Sequence, residues 1–247
     1  VRETGEDQDA RIADVTLEDE SGAVVAYIRG LVLRKVTEEA LARALQDDHM
    51  RTHAMRRVWE PAQVTQGVAP AACILLPDRG GLASELASVL TAQGVQASVV
   101  QDDALAAALE ATPREGAVWV IDCAAVGRAS EDDASRDAAA MYGRALRLAH
   151  TLASISPRTG YCLLTNGAHV AGPGDGGDPV AHEVVGFWRT VGAERPLAPG
   201  LRIDLDPAAQ PPIAQIVALI TASHGGAREF AIRQGEALDL TSTEFDL

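Results

Sequence analysis

Three tyrosines and a lone lysine pose the first chemical question of this 247-residue sequence. A reductase that protonates its substrate through tyrosine needs a lysine four residues on, which lowers the phenol pKa and holds a cofactor ribose. Tyr27, Tyr142 and Tyr161 are followed at that spacing by Leu31, Leu146 and Thr165, and Lys35 falls in a strand-like stretch. No tyrosine is therefore placed as a proton donor. No G-x-S-x-G elbow occurs to expose a serine nucleophile. Cys73, Cys123 and Cys162 each sit inside an apolar run, where buried structural thiols are expected rather than nucleophiles. His49 and His53 share a helical face near Asp48, a spacing that can ligate a metal, but no third ligand follows at a telling interval. Asp204 and Asp206, near the end of a strand, read as caps or surface acids rather than a catalytic pair. Taken together, these residues yield no catalytic residue and no metal ligand.

The stretch that most resembles a ligand site is A-A-C-I-L-L-P-D-R-G-G-L-A-S-E-L (71–86). It reads as a buried strand, a short turn and a helix start, the place where a dinucleotide's phosphates meet a helix N-terminus. Leu82, Leu86, Val89 and Leu90 keep helical spacing, and Gly94 stands where a C′ glycine closes a helix. Yet G-x-G-x-x-G is missing. Pro77 has no N–H to offer, and the charge of Asp78 would repel a pyrophosphate, so no cofactor-binding residue is assigned. The glycine-rich loop N-G-A-H-V-A-G-P-G-D-G-G-D-P (166–179) follows a later strand and carries two carboxylates and no lysine. A mobile surface loop is expected there.

The elements that must position these residues follow from hydrophobic period. Residues 1–10 are polar and are expected to be loose. From Ile12, strand alternation leads through a turn at Glu20-Ser21-Gly22 into a second strand whose phase slips near Gly30, as a bulge there would explain. Thr37 caps a helix reaching Asp47 or beyond, and Met55–Pro61 forms one short strand ended by proline. After that come apolar runs at 72–76, 97–101, 117–122, 161–165, 201–205 and 229–233, separated by amphipathic helices. One helix carries Met141, Ala145, Leu148 and Leu152; a second carries Val184, Phe187, Trp188 and Val191; a third carries Ile213, Ile216, Val217 and Ile220. Continuous apolar strands alternating with helices predict an α/β fold, a doubly wound parallel sheet covered on both faces. Trp119, Trp188 and Phe187 are assigned to its core, and Trp59 is a candidate anchor between elements.

Composition narrows the partners. A formal charge of −14 argues against a nucleic-acid backbone or an anionic membrane, which need clustered Lys and Arg. Apolar residues at 47% suffice for a core, but aromatics at 4% leave Ala, Val, Leu and Ile to fill it. Three scattered cysteines fit a reducing, cytoplasmic setting better than a disulfide frame. No apolar run is long enough to span a membrane, no signal peptide opens the chain, and Val1-Arg2-Glu3 looks cut from something longer.

These stretches together resemble a modular type I polyketide synthase, in the region that leaves the dehydratase and enters the ketoreductase. A-D-V-T-L-E-D-E-S-G-A-V-V-A-Y-I-R-G-L-V-L-R-K-V (13–36) is similar to the closing strands of a dehydratase double hotdog. R-R-V-W-E-P (56–61) is similar to the strand that opens the ketoreductase structural subdomain. I-L-L-P-D-R-G-G-L-A-S-E-L (74–86), C-L-L-T-N-G-A (162–168), G-F-W-R-T-V-G-A-E-R-P (186–196) and R-I-D-L-D-P (202–207) continue in that subdomain's manner. The resemblance implies a dehydratase C-terminal hairpin over 1–36, a linker helix and opening strand over 37–70, a truncated Rossmann-like subdomain over 71–238 and a linker over 239–247. It implies a structural, non-catalytic half that binds no NADPH and braces a catalytic ketoreductase subdomain lying outside this chain, where NADPH would be held. Its partners would be that subdomain, the dehydratase of the same synthase and, indirectly, an acyl carrier protein. The dehydratase's catalytic His and Asp would precede Val1, so His49 and His53 do not take their place. Two alternatives stand beside it: a stand-alone Rossmann-class enzyme binding NADPH or an adenosyl ligand at Gly80-Gly81, and a regulatory module using loop 166–179.

Overall fold

Five consecutive buried residues, Ala72–Leu76 (β5), form a central strand of the sheet that organises most of the chain. The computed structural model describes residues 2–7, 10–18, 22, 24–34, 55–64, 67–113, 115–126, 134–154, 159–172, 175, 177–194, 200–222 and 227–244. Contacts divide the chain into two units, 1–56 with 243–247, and 57–242.

The first unit holds a three-stranded antiparallel sheet, β1 (Arg2–Asp7), β2 (Ala10–Glu18) and β3 (Val24–Arg34). The opening residues are thus a paired strand and not loose. Their polar sequence hides this because an edge strand is held by backbone hydrogen bonds, not by an apolar face. The slip near Gly30 is a bulge. Ala13 faces Leu31 but Val15 faces Ile28, so β3 carries one extra residue. Gly30 adopts φ +67°, and its N–H donates to Asp14 Oδ1 at 2.9 Å. The helix expected from Thr37 lies outside the described residues, as do Lys35, Asp48, His49 and His53.

The second unit is built on an eight-stranded sheet of order β4-β11-β10-β9-β8-β7-β5-β6. Its strands are β4 (Met55–Pro61), β5, β6 (Gln96–Val99), β7 (Val118–Ala125), β8 (Thr159–Asn166), β9 (Gly200–Leu205), β10 (Arg228–Arg233) and β11 (Glu236–Glu244). The strands from β5 to β10 pair in parallel, as the apolar runs predict. Side chains alternate between two apolar layers. On one face Leu75, Ile121, Leu164 and Ile203 pack beneath α1 (Leu82–Ala92) and α5 (Ile213–Thr221). On the other, Ile74, Val120 and Leu163 pack beneath α2 (Leu105–Glu110), α3 (Ala134–Ala153) and α4 (Pro179–Glu194). Each fully buried Leu or Ile stabilises the fold by about 2 kcal/mol, and the three helices named from their spacing bury the faces expected. α1 ends as its sequence predicts. Gly94 turns left-handed at φ +84°, its N–H reaches Thr91 O at 3.0 Å, and Val95 N–H reaches Leu90 O at 3.0 Å.

Two boundaries change. Residues 239–247 do not begin a linker, because β11 runs to Glu244 and pairs antiparallel with β10. A two-residue turn joins them, with Gln234 at φ +50° and Gly235 at φ +81°, the signature of a tight hairpin matched to strand twist. Likewise β4, grouped above with a linker over 37–70, lies in the sheet beside β11. Ala62 N–H donates to Ala237 O at 2.8 Å and the Thr241 hydroxyl donates to Val58 O at 3.5 Å, an antiparallel sequence of contacts.

Candidate functional site

Strand order reverses at β5, which neighbours β6 on one side and β7 on the other. The crevice beyond the carboxyl ends of such strands is where open α/β sheets take ligands. Here it is framed by the β5–α1 turn, the start of the segment after β6, the end of β7, and α3. A cavity of about 710 Å³ opens beside it, lined by Pro77, Asp102, Asp103, Arg144 and Arg147 among others.

The turn is closed by its own acid. Asp78 Oδ2 accepts from Gly80 N–H at 2.7 Å and from Leu82 N–H at 3.1 Å, and its Oδ1 accepts from Ala83 N–H at 2.9 Å. Gly81 is left-handed at φ +90°, which folds the turn back so that the carboxylate sits on the helix start. The next two donors, Ser84 and Glu85 N–H, go to Gly81 O at 3.1 Å each. Any side chain at Gly80 would begin 3.1 Å from Asp78 Oδ2, so the turn is tight as well as satisfied. The sequence foretells the charge of Asp78; the geometry adds that it takes the N–H groups a phosphate would use. These residues do not fit the diphosphate of a dinucleotide.

The acid that would hold a ribose is engaged too. In dinucleotide sites it follows the glycine turn by about 20 residues, which points here to Asp102. Arg144 grips Asp102 through Nε at 2.7 Å and Nη2 at 2.8 Å, and donates Nη1 to Asp122 Oδ2 at 2.7 Å. Tyr161 O–H donates to the same Asp122 oxygen at 2.8 Å. Burial, and next the negative charge of Asp122, push the Tyr161 phenol well up. That is the opposite of what a tyrosine acid needs. Burial alone would lower the Arg144 pKa, but its two carboxylates raise it, so this guanidinium stays charged.

A second polar cluster lies at the carboxyl ends of β8 to β10, and sequence reasoning misread it. Asp204 is buried and not a surface acid. It accepts from Thr165 Oγ1 and Ala168 N–H at 2.7 Å each, from His169 N–H at 3.0 Å and from Arg233 Nη2 at 2.6 Å. Arg233 Nε continues to Asp175 Oδ2 at 2.8 Å, and its Nη2 also donates to His169 O at 2.7 Å. Asp178 N–H donates to Gly167 O at 2.6 Å while its Oδ1 caps α4 through Val180 N–H at 2.9 Å. The described part of loop 166–179 is therefore tied down at both ends, with Ala168 and His169 buried, and is no free surface loop. Asp206, by contrast, caps its own turn, accepting from Ala208 N–H at 2.9 Å, and also accepts from Gln234 N–H of the β10–β11 turn at 3.2 Å.

Nothing in the residue pattern singles out His169. Its ring centroid lies 5.2 Å from Trp59 and 5.6 Å from His182, and its Nε2 lies 3.8 Å from Glu229 Oε2. Burial lowers its pKa in spite of Asp204 and Glu229, so it is neutral at pH 7. Trp59 is indeed an anchor, fastening the edge strand β4 to this loop.

The remaining candidates do not converge. Cys73, Cys123 and Cys162 are buried free thiols. Burial pushes Cys73 up to about 12 and the other two well above the ordinary value, the reverse of an activated nucleophile. Tyr142 lies on an exposed face of α3, and the Tyr27 hydroxyl donates to Asp14 Oδ2 at 3.3 Å. Among the described residues no group of three His, Cys, Asp or Glu side chains could hold a metal ion, and no helix is long and apolar enough to cross a membrane.

Comparison with known proteins places this geometry. Residues 57–239 match the profile of the Rossmann-fold domain of the polyketide synthase extender module SpnB. Among solved structures, the chain is similar to a keto acid-selecting NRPS module with adenylation, ketoreductase and pseudo Asub domains, at TM-score 0.62 and 14% identity. That match covers 84% of this chain and 20% of the other. A C2-type ketoreductase from a modular polyketide synthase matches at TM-score 0.60 and 19% identity, over 78% of this chain and 44% of that one. A-type ketoreductases from a modular polyketide synthase match at 0.57 and 22%, over 81% and 44%. At these identities the likeness is one of fold, and the chain spans less than half the length of each. No curated protein sequence matches it.

Proposed function

Since this chain belongs to the family of the polyketide synthase extender module SpnB Rossmann-fold domain, we propose that it is the non-catalytic structural half of a ketoreductase region. In this reading residues 57–242 brace a catalytic ketoreductase subdomain outside the chain, so that it meets acyl groups presented by a carrier protein. NADPH is bound by that partner and not here, and the whole works in the cytoplasm. β1–β3 would be the closing strands of a dehydratase, their exposed Val24, Ile28 and Val32 belonging against the rest of that domain.

The observation that carries the reading is the Asp78 carboxylate on the first N–H groups of α1. A diphosphate there would have to displace an anion covalently attached two to five residues from the donors, and would then sit beside it. With ε near 20, two unit charges 4 Å apart repel by about 4 kcal/mol. The Asp102–Arg144 pair, two parallel charge-assisted bonds, opposes a ribose in the same way. The sheet keeps the scaffold for docking a neighbour without keeping the site.

The test is direct. The purified chain is titrated with NADPH and offered a β-ketoacyl thioester. The expected outcome is no saturable change in nicotinamide fluorescence and no oxidation of NADPH. Saturable binding, or turnover by the chain alone, would replace this reading with that of a stand-alone enzyme.

A further inference from the structure

Arginines from three separate elements converge in the second unit around a single carboxylate. Arg57 comes from β4, Arg189 from α4 and Arg202 from β9, and with Glu229 of β10 and Leu240 of β11 they line a cavity of about 380 Å³. Arg228 also borders it, but is neutralised by Asp239. Glu229 is shared between two of the three. Arg189 grips it through Nε at 2.8 Å and Nη2 at 2.6 Å, and Arg202 Nε lies 3.0 Å from Oε1. That last nitrogen is paired with the carboxylate by charge, yet it is a buried donor that makes no hydrogen bond. Among the described residues no carboxylate pairs with Arg57. His169, the other group facing Glu229, is held neutral by burial.

Among the described residues the cluster therefore carries three positive charges against one negative, in a chain whose formal charge is −14. Such a concentration is costly unless something offsets it: burial and the charges of Arg189 and Arg57 pull the Arg202 pKa down even beside Glu229. A single carboxylate would leave the cavity positive. A phosphate monoester, with a charge of about −1.5 to −2 at pH 7, would balance it. Its oxygens also suit the forked donors of several guanidinium groups, whose planar N–H pairs match phosphate better than lysine does. From this arrangement we propose that the cavity among Arg57, Arg189 and Arg202 is a binding site for a phosphate group, free or carried as a monoester. The site lies away from the β5–α1 turn and does not depend on the bracing role proposed above.

Isothermal titration of the intact chain at low ionic strength tests it, with inorganic phosphate, glycerol 1-phosphate and acetate as probes. One saturable site is expected for a phosphate probe, with acetate at least tenfold weaker. Tighter binding of glycerol 1-phosphate than of inorganic phosphate assigns the site to esters; the reverse order assigns it to the free anion. Arg57 is exposed, so Arg57→Gln is expected to keep the parent circular dichroism spectrum and to weaken phosphate at least tenfold. Arg29→Gln, an exposed arginine of the first unit, is expected to change nothing. The proposal fails if neither phosphate probe saturates, if acetate binds as well, if Arg57→Gln binds like the parent, or if Arg29→Gln weakens binding equally.

Discussion

At the carboxyl edge of one sheet, two aspartates hold backbone N–H groups in different company. Asp78 meets three N–H groups of its own turn and, among the described residues, no cation, whereas Asp204 is buried and draws together a threonine, two loop N–H groups and Arg233 from another strand. In an open α/β sheet this edge is where ligands are met. Here both regions turn that capacity inward. At β5 a local acid stands in for an anion that would otherwise be borrowed. At β8–β10 an ion pair fixes a loop that would otherwise be free. The first is a short-range device and its loss should be mild; the second is tertiary and its loss should be severe.

The sharpest way to break this contrast is Arg233→Met, which strands Asp204 in the interior. Removing one partner of a buried pair costs about 3–5 kcal/mol, read as a fall in urea midpoint at unchanged slope. Next is Gly160→Ala, at the amino end of β8 and away from both regions. A Cβ there would lie 2.7 Å from the Trp119 ring, and overpacking of this kind costs about 1–3 kcal/mol in the same assay. Asp78→Ala should then cost only about 1 kcal/mol, as the loss of a helix cap does. If Asp78→Ala proves as damaging as Arg233→Met, the division into local and tertiary devices is wrong.

Acid separates the regions most gently. The folded pKa of His169 lies below the ordinary 6.5, so its contribution is whole above that pH and is lost as the pH falls through 6.5 towards the folded value. Burial alone would raise the Glu229 carboxyl, but Arg189 and Arg202 outweigh it and hold it below 4.5. Its contribution is present above 4.5 and disappears as the pH falls through the folded value. Urea titrations from pH 7.5 to 5.5 should show stability declining in the parent and in Asp78→Ala. The slope should flatten in His169→Asn. An unchanged slope in that variant would remove His169 from the account.

Much of the architecture was legible because it is local. Five-residue apolar runs such as Ala72–Leu76 announce strands covered on both sides, and Leu82, Leu86 and Leu90 announce the face α1 buries. Gly94 marks its own helix end. β1 was not legible, since R-E-T-G-E-D has no apolar phase and pairs through backbone alone. The polar stretch 239–247 reads as a linker, although Gln234-Gly235 and the alternation of Leu238 and Leu240 with Asp239 and Thr241 carry the signal of β11. At the site, the sequence disclosed the sign of Asp78 but not where a left-handed Gly81 would aim it. The burial of Asp204 depends on Arg233, 29 residues further on, and no periodicity links two such positions.

The pairing of β4 with β11 has a wider meaning. The first and last strands of the larger unit lie side by side and run in opposite directions, so the chain enters this unit at Arg57 and leaves it at Ser242 through one doorway. A unit wired in this way can be spliced between foreign sequences, or can host new cargo at that doorway, with its layers undisturbed.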